Sequence, residues 1–231
     1  MAARGTERSA AEEANRARPL ALVTGASRGL GHGMAVALGR RGWHVLLAAR
    51  TLGGLEGADD RIRAEGGSAT IVPIDITEED RLRQMCRAIF DRWGRLDLWV
   101  HAAIHPPLLS PAPHVNLDAF DRAWAVNAQA TQRLISFLDP LLRASDRGRA
   151  LFFDDPMAGR RFAGGYGATK AAQIALARSW AEENRRIGPR ILIETPPPMR
   201  TALRARFFPG EDRSALADPL AVAEDITGKI L

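Results

Sequence analysis

A length of 231 residues fits one large domain or at most two small ones, and a hydrophobic content of 46% supplies ample core. No apolar run approaches the roughly 20 residues of a membrane span, and the single cysteine, Cys86, excludes an internal disulfide and suits a reducing, cytoplasmic compartment. The net charge of +5 raises nucleic acid as a partner, but the thirty arginines are scattered and mostly sit beside acids, as in "EEDRLRQMCRAIFDRWGR", with no basic run or aromatic platform, so neither nucleic acid nor membrane is expected.

Residues 1–18 have no hydrophobic core for a secretory signal, and Glu7, Glu12 and Glu13 argue against a transit peptide, so they read as a flexible tail. From residue 19 to 231, strand-like apolar runs alternate with amphipathic helical stretches. Strands are expected at 20–25, 44–49, 69–74, 96–102, 149–154 and 190–195. Helices are expected to start near Gly29, Leu55, Glu78, Leu117 and Gly165, and "EDITGKIL" at the end reads as a last short strand. Such alternation implies right-handed crossovers and an α/β domain with a doubly wound parallel sheet, its ligands at the carboxyl ends of the strands.

After the first strand comes "TGASRGLG", in which Gly25, Gly29 and Gly31 separate a strand from a helix. Glycines there permit a tight turn and bring backbone close to a pyrophosphate at a helix N-terminus. The second strand ends in Arg50 rather than in the carboxylate that would bind the ribose diol of NAD, and Arg28 lies in the glycine turn. Two guanidinium groups suit the 2′-phosphate of NADP, the alternative being two surface arginines in an arginine-rich chain.

The only tyrosine, Tyr166, stands four residues before Lys170, one of two lysines, in the helix-forming stretch "YGATKAAQIALARSWAEENRR". Spacing of i and i+4 puts both on one helix face. An ammonium beside a phenol favours phenolate and lowers the phenol pKa, which would make Tyr166 a usable acid/base. The alternative is a chance pair of surface residues.

"TGASRGLG" (24–31), "DIT" (75–77), Asn127 in "WAVNAQ" and "YGATK" (166–170) follow in order, and from about Leu20 to Ile230 the chain resembles a single-domain short-chain dehydrogenase/reductase with a Rossmann fold. Residues 196–212 are similar to one bacterial subgroup of poorly characterised oxidoreductases. The resemblance implies a catalytic set of Tyr166, Lys170 and Asn127, with Lys170 also at the nicotinamide ribose and Asn127 holding a relay water. It implies a cofactor set of Thr24, Gly25, Ser27, Arg28, Gly29, Leu30 and Gly31 in the glycine turn, Arg50, Asp75 and Ile76 towards the adenine, and Thr201 at the nicotinamide carboxamide, with no metal. A carbonyl or alcohol would be the substrate and a homo-dimer or homo-tetramer the assembly, formed by helices around 117–138 and 166–186 whose apolar content exceeds what one sheet face needs.

Three positions depart from the family pattern. His101-Ala102-Ala103-Ile104 stands for Asn-Asn-Ala-Gly; no Ser or Thr occurs from 150 to 165, leaving Asp155 or Pro156 at the place of a substrate-polarising Ser; and Pro196-Pro197 replaces Pro-Gly. His101 also reads as a satisfied residue at a strand end, and Asp154–Asp155 as a polar loop. Trp124, Phe207 and Phe208 suggest an apolar pocket. The expectation is therefore an NADP(H)-dependent oxidoreductase with an altered nicotinamide end, the alternative a cofactor-binding relative without turnover.

Overall fold

Six short apolar runs pair as parallel strands in the computed structural model, which describes residues 18–231; the expected tail, but for Arg18, lies outside the described residues. The strands are Leu20–Thr24 (β1), His44–Ala49 (β2), Ser68–Pro73 (β3), Leu98–His101 (β4), Arg149–Phe153 (β5) and Arg190–Glu194 (β6), in the order β3-β2-β1-β4-β5-β6. The central strand β1 is fully buried. Its side chains alternate between two cores, Leu20 and Leu22 on one face, Ala21 and Val23 on the other.

The helices are Gly29–Arg40 (α1), Leu52–Ala64 (α2), Glu79–Trp93 (α3), Leu117–Trp124 (α4), Ala130–Arg143 (α5), Gly164–Glu183 (α6), Ala202–Phe207 (α7) and Pro219–Ile230 (α8). On the Leu20 face, α3, α5 and α6 enclose Trp99, which meets Phe152 edge-on at 5.1 Å between centroids and Trp180 at 6.3 Å. On the Val23 face, α1, α2 and α8 supply Met34, Leu38, Leu55, Ile62, Val222 and Ile226. Ile174, Ala177 and Trp180 of α6, and Leu134 and Leu138 of α5, are buried within this chain. Leu117 and Trp124 of α4 remain exposed, so only part of the apolar content of these helices is used in the core.

The strands fall within about two residues of those expected, and α2 starts three residues before Leu55. One expectation is overturned: "EDITGKIL" is helical, the second half of α8. The Asp218 side chain accepts from the Leu220 and Ala221 amides, and Pro219 takes the first helical position, where its missing N–H is of no consequence. Val222, Ile226 and Ile230 then recur at intervals of four, a helical period that buries them against the sheet and α1. A Cβ at Gly33 would lie 2.8 Å from the Pro219 carbonyl oxygen, so α1 and α8 touch backbone to backbone.

Asp97, 2% exposed, fastens the far end of the sheet. It accepts from the Leu20 amide at 2.7 Å, the Ser145 hydroxyl at 2.6 Å and Arg95 Nε at 3.1 Å, joining β1, the chain before β4 and the turn after α5. Asp97→Ala strands the Leu20 amide in the interior and takes the acceptor from Ser145 and Arg95. It is expected to lower unfolding free energy by about 3 kcal/mol in urea titrations; a loss below about 1 kcal/mol would show that the turn relaxes without it.

Candidate active site

The glycine turn lies where β1 and β4 end side by side and their connections diverge. Gly25 has φ 85°. A Cβ there would sit 2.6 Å from the Ala103 amide nitrogen, so the turn packs directly on the chain after β4. Gly29 has φ 58°, and its Cβ position would meet only the Thr201 side chain, at 3.5 Å. Arg28 is the N-cap of α1 yet makes no side-chain cap bond, and no acid stands in the first turn. The leading amides of α1 are therefore free of a side-chain acceptor, an arrangement that fits a phosphate. Thr24 closes β1 fully buried, Gly31 is buried, Ser27 and Leu30 are half-buried, and Arg28 is exposed. Thr201 caps α7, its Oγ1 accepting from the Arg204 amide at 3.1 Å.

Pairing of β2 with β3 brings Arg50 and Asp75 together. Arg50 Nη1 lies 3.7 Å from Asp75 Oδ2 at the rim of a cleft that also includes Pro73, Ile74, Glu78 and Arg81. Asp75 Oδ1 accepts from the Thr77 amide and hydroxyl, at 3.0 and 2.8 Å, and Ile76 beside it is buried in the core. The second strand has no acid of its own, but tertiary structure supplies one.

Tyr166 and Lys170 both lie on α6, 1% and 3% exposed, and Asn127 is fully buried. Asn127 stands in a π-helical turn, Ala125–Gln129, inserted between α4 and α5. Its side chain accepts from the His105 amide at 2.8 Å and donates to the His105 carbonyl at 3.1 Å and to Thr169 Oγ1 at 3.0 Å. It thereby clamps the loop after β4 onto α6.

The coupling expected between Tyr166 and Lys170 is not what the structure has. Tyr166 Oη donates to Asp155 Oδ2 at 3.1 Å. Burial first, and then the charges of Asp155 and Asp154, hold the phenol above its ordinary range. Lys170 Nζ instead donates to Gln173 Oε1 at 2.6 Å, and burial brings its pKa down to about 8. The reason is local: Gln173, one turn on, takes the ammonium, while a carboxylate faces the phenol. Of the two candidates for the missing Ser, it is Asp155 that reaches Tyr166; Pro156 points to solvent.

Apolar residues close over this end. Phe207 of α7 meets the Tyr166 ring edge-on at 5.0 Å, and Ile104, Leu109 and Phe208 pack on the cluster of Met157, Ala163 and Tyr166. Trp124 does not join them; it stacks on Phe120 and is 42% exposed.

Sequence reasoning missed a buried polar chain that starts from His101. His101 Nδ1 lies 2.8 Å from Thr24 Oγ1, and Nε2 lies 2.9 Å from Thr131 Oγ1. Thr131 also accepts from Gln173 Nε2 at 3.2 Å and donates to the Asn127 carbonyl at 2.8 Å. Burial, then the nearby Lys170 charge, lowers the ring pKa to about 3, so the ring is neutral and carries one N–H. One hydroxyl must therefore donate to it. The Thr24 bond to the Val100 carbonyl is the longer, at 3.2 Å against 2.8 Å for Thr131. Thr24 thus turns to Nδ1, and the ring proton sits on Nε2. The i+3 spacing of Gln173 from Lys170 and the i+4 spacing of Thr131 from Asn127 were visible signals.

A neutral buried histidine binds its proton more readily once unfolded. Stability is therefore full above pH 6.5 and falls as pH drops towards 3. From pH 6.5 to 5 the wild type is expected to lose about 2 kcal/mol more than His101→Asn, read as the difference of urea midpoints at the two pH values. Equal losses would remove His101 from the acid response.

The family model described as short chain dehydrogenase matches residues 19–212. Uncharacterized oxidoreductase YciK of Escherichia coli K12 is 31% identical over 204 residues, covering 86% of this chain and 80% of its own length. Sorbitol dehydrogenase of Cereibacter sphaeroides is 32% identical over 163 residues, covering 69% of this chain, which spans only 62% of that relative's length. Among solved structures, a short chain dehydrogenase from Shigella flexneri 2a complexed with NADP superposes with a TM-score of 0.82 at 30% identity, over 87% of this chain and 86% of its own. One from Escherichia coli CFT073 complexed with NADPH gives 0.83 at 29%, over 92% and 89%. With the β3-β2-β1-β4-β5-β6 sheet and the glycine turn between β1 and α1, these matches make the chain a member of the short chain dehydrogenase family.

Proposed function

We propose that this oxidoreductase interconverts a carbonyl and an alcohol with NADP(H), with Tyr166 as the proton donor. The observation that carries the reading is that α6, which bears Tyr166 and Lys170, is tied to Asn127 through Thr169 and through Gln173 and Thr131, while the start of α1 after β1 is left without a side-chain cap. The bound cofactor supplies or accepts the hydride. The α1 amides and the turn Thr24–Gly31 would hold its pyrophosphate, Arg28 and Arg50 its 2′-phosphate, Asp75 and Ile76 its adenine end, and Lys170 and Thr201 its nicotinamide half. Its co-crystallisation with the Shigella and E. coli relatives supports the choice of NADP(H).

The chain's own groups favour reduction. A phenol held above its ordinary pKa stays protonated at neutral pH, the form that donates to a carbonyl oxygen. Alcohol oxidation would need the phenolate, which the Asp155 carboxylate opposes. Asp155 in its charged form cannot polarise a carbonyl as the family's Ser would, so carbonyls that need little polarisation, such as vicinal diketones and quinones, are the expected substrates.

A second reading, cofactor binding without turnover, draws on the same loop. The Tyr166 hydroxyl is already engaged by Asp155, and Phe207 lies over its ring. NADPH binding with no turnover on a broad carbonyl and alcohol panel would favour it.

Two measurements test the first reading. In fluorescence titrations the protein should bind NADPH more tightly than NADH, and Arg50→Glu should weaken NADPH by about 10- to 100-fold with little effect on NADH; equal wild-type affinities would defeat the cofactor assignment. In steady-state assays with a diketone or quinone, Tyr166→Phe should lose nearly all turnover. Asp155→Ser should extend activity to plain ketones by about 10²-fold, because it removes the opposing charge and adds a hydroxyl donor. Undiminished turnover in Tyr166→Phe would refute its role.

A further inference from the structure

No step of the proposed carbonyl reduction needs the Asp155 carboxylate, and one step is opposed by it. Its backbone is fixed: the Asp154 amide bonds the Glu194 carbonyl of β6 at 2.7 Å, and the Met157 amide bonds the Asp155 carbonyl at 2.6 Å. The loop then packs on α6, where a Cβ at Gly167 would lie 2.7 Å from the Met157 carbonyl oxygen. Asp155 is half-buried, and its Oδ2 accepts from Tyr166 Oη at 3.1 Å. It has no ion-pair partner among the described residues, and the cations near it are spent elsewhere. Arg178 pairs with Asp154 at 3.2 Å, Arg204 with Glu211 through two bonds, and Lys170 donates to Gln173 at 2.6 Å. The remaining wall, with Ile104, Leu109, Met157, Phe207 and Phe208, is apolar.

A neutral ketone bound for reduction worsens the position of this carboxylate twice. Its oxygen takes the phenol hydrogen from Asp155 and returns no donor, and an acceptor short of a donor away from water is costly. Proton transfer then leaves tyrosinate and carboxylate as two anions 3.1 Å apart. A substrate with an ammonium on the carbon next to the carbonyl removes both costs. Nitrogen and oxygen of such a ketone are connected as in the backbone N–Cα–C=O, which sets them about 2.8 Å apart when they lie on the same side. That is close to the 3.1 Å between Asp155 Oδ2 and Tyr166 Oη, so the oxygen can face the phenol while the ammonium faces the carboxylate. The ammonium then returns hydrogen-bond donors to Asp155 and sets a positive charge beside the two anions. It also withdraws electrons from the carbonyl, which supplies the polarisation that no Ser supplies here.

We propose that the substrates of this site are α-amino ketones in their protonated form, with Asp155 as the residue that binds the ammonium and so selects them over neutral carbonyls. The carbonyl carbon gains a hydride from NADPH and the oxygen gains the phenol proton, giving an amino alcohol and NADP+. The ammonium is unchanged, and the phenol recovers its proton from water. The assignment rests on the carbonyl–alcohol reading above and narrows its activated carbonyls to those that carry a cation.

Phenacylamine and phenacyl alcohol form a matched pair of ketones that differ only in ammonium for hydroxyl when assayed below the pKa of the amine. With NADPH, wild type should reduce the amine with a kcat/KM about 30-fold or more above that for the alcohol, and Asp155→Asn should abolish the preference. Equal rates on the two ketones, or a preference that survives Asp155→Asn, would overturn the assignment and leave the carbonyl reading standing. Should neither ketone nor a vicinal diketone be turned over, that reading falls and binding decides the cation site on its own. Calorimetric titration of the full chain with the amino alcohol should then show binding that the corresponding diol lacks and that Asp155→Asn loses; no such binding overturns the assignment. Should the Asn variant fail to fold, the wild type's choice between the paired compounds decides, and no preference for the cation overturns it.

Discussion

One buried imidazole holds the region around Tyr166 and Lys170 in place. His101 ends β4 and spans Thr24, the last residue of β1, and Thr131, the first turn of α5. From Thr131 the hydrogen bonds divide, one to the carbonyl of Asn127 in the π turn and one from Gln173, which holds the Lys170 ammonium. Two strands, the π turn and α6 are thus fixed by side chains that all lie out of water, where an unmet partner is most costly. The ring must remain neutral for this to hold, and its burial keeps it so.

The carboxyl-end side of the sheet above this support has two parts of different character. At the glycine turn, amides of α1 without a side-chain cap and two exposed arginines present positive potential to solvent. At Tyr166 the interior is buried and already internally bonded, with Asp155 on the hydroxyl and Phe207 on the ring. The Asp155 carboxylate sets a charge against the anion of the phenol.

The same opposition of local signal and tertiary placement runs through the sheet. The runs of β3 and β6 become the outer strands of the six described, and those of β1 and β4 the inner ones. Strand order alone decides which runs become edges.

The sequence by itself determined the parts that depend on short-range rules. Alternation of apolar runs with helical stretches carries the parallel sheet, glycines between a strand and a helix carry the turn, and i, i+4 spacing puts Tyr166 and Lys170 on one helix, all of which the structure has. Only the tertiary structure decided the rest. The end of the chain, expected as a short strand, is helix because Asp218 and Pro219 start one and α1 offers it a surface. Asp75 reaches Arg50, Asp155 reaches Tyr166, and Phe207 covers it across 11 to 41 residues of chain. Electrostatic and packing contacts depend on which residues share a place in space, and separation along the chain carries no record of that.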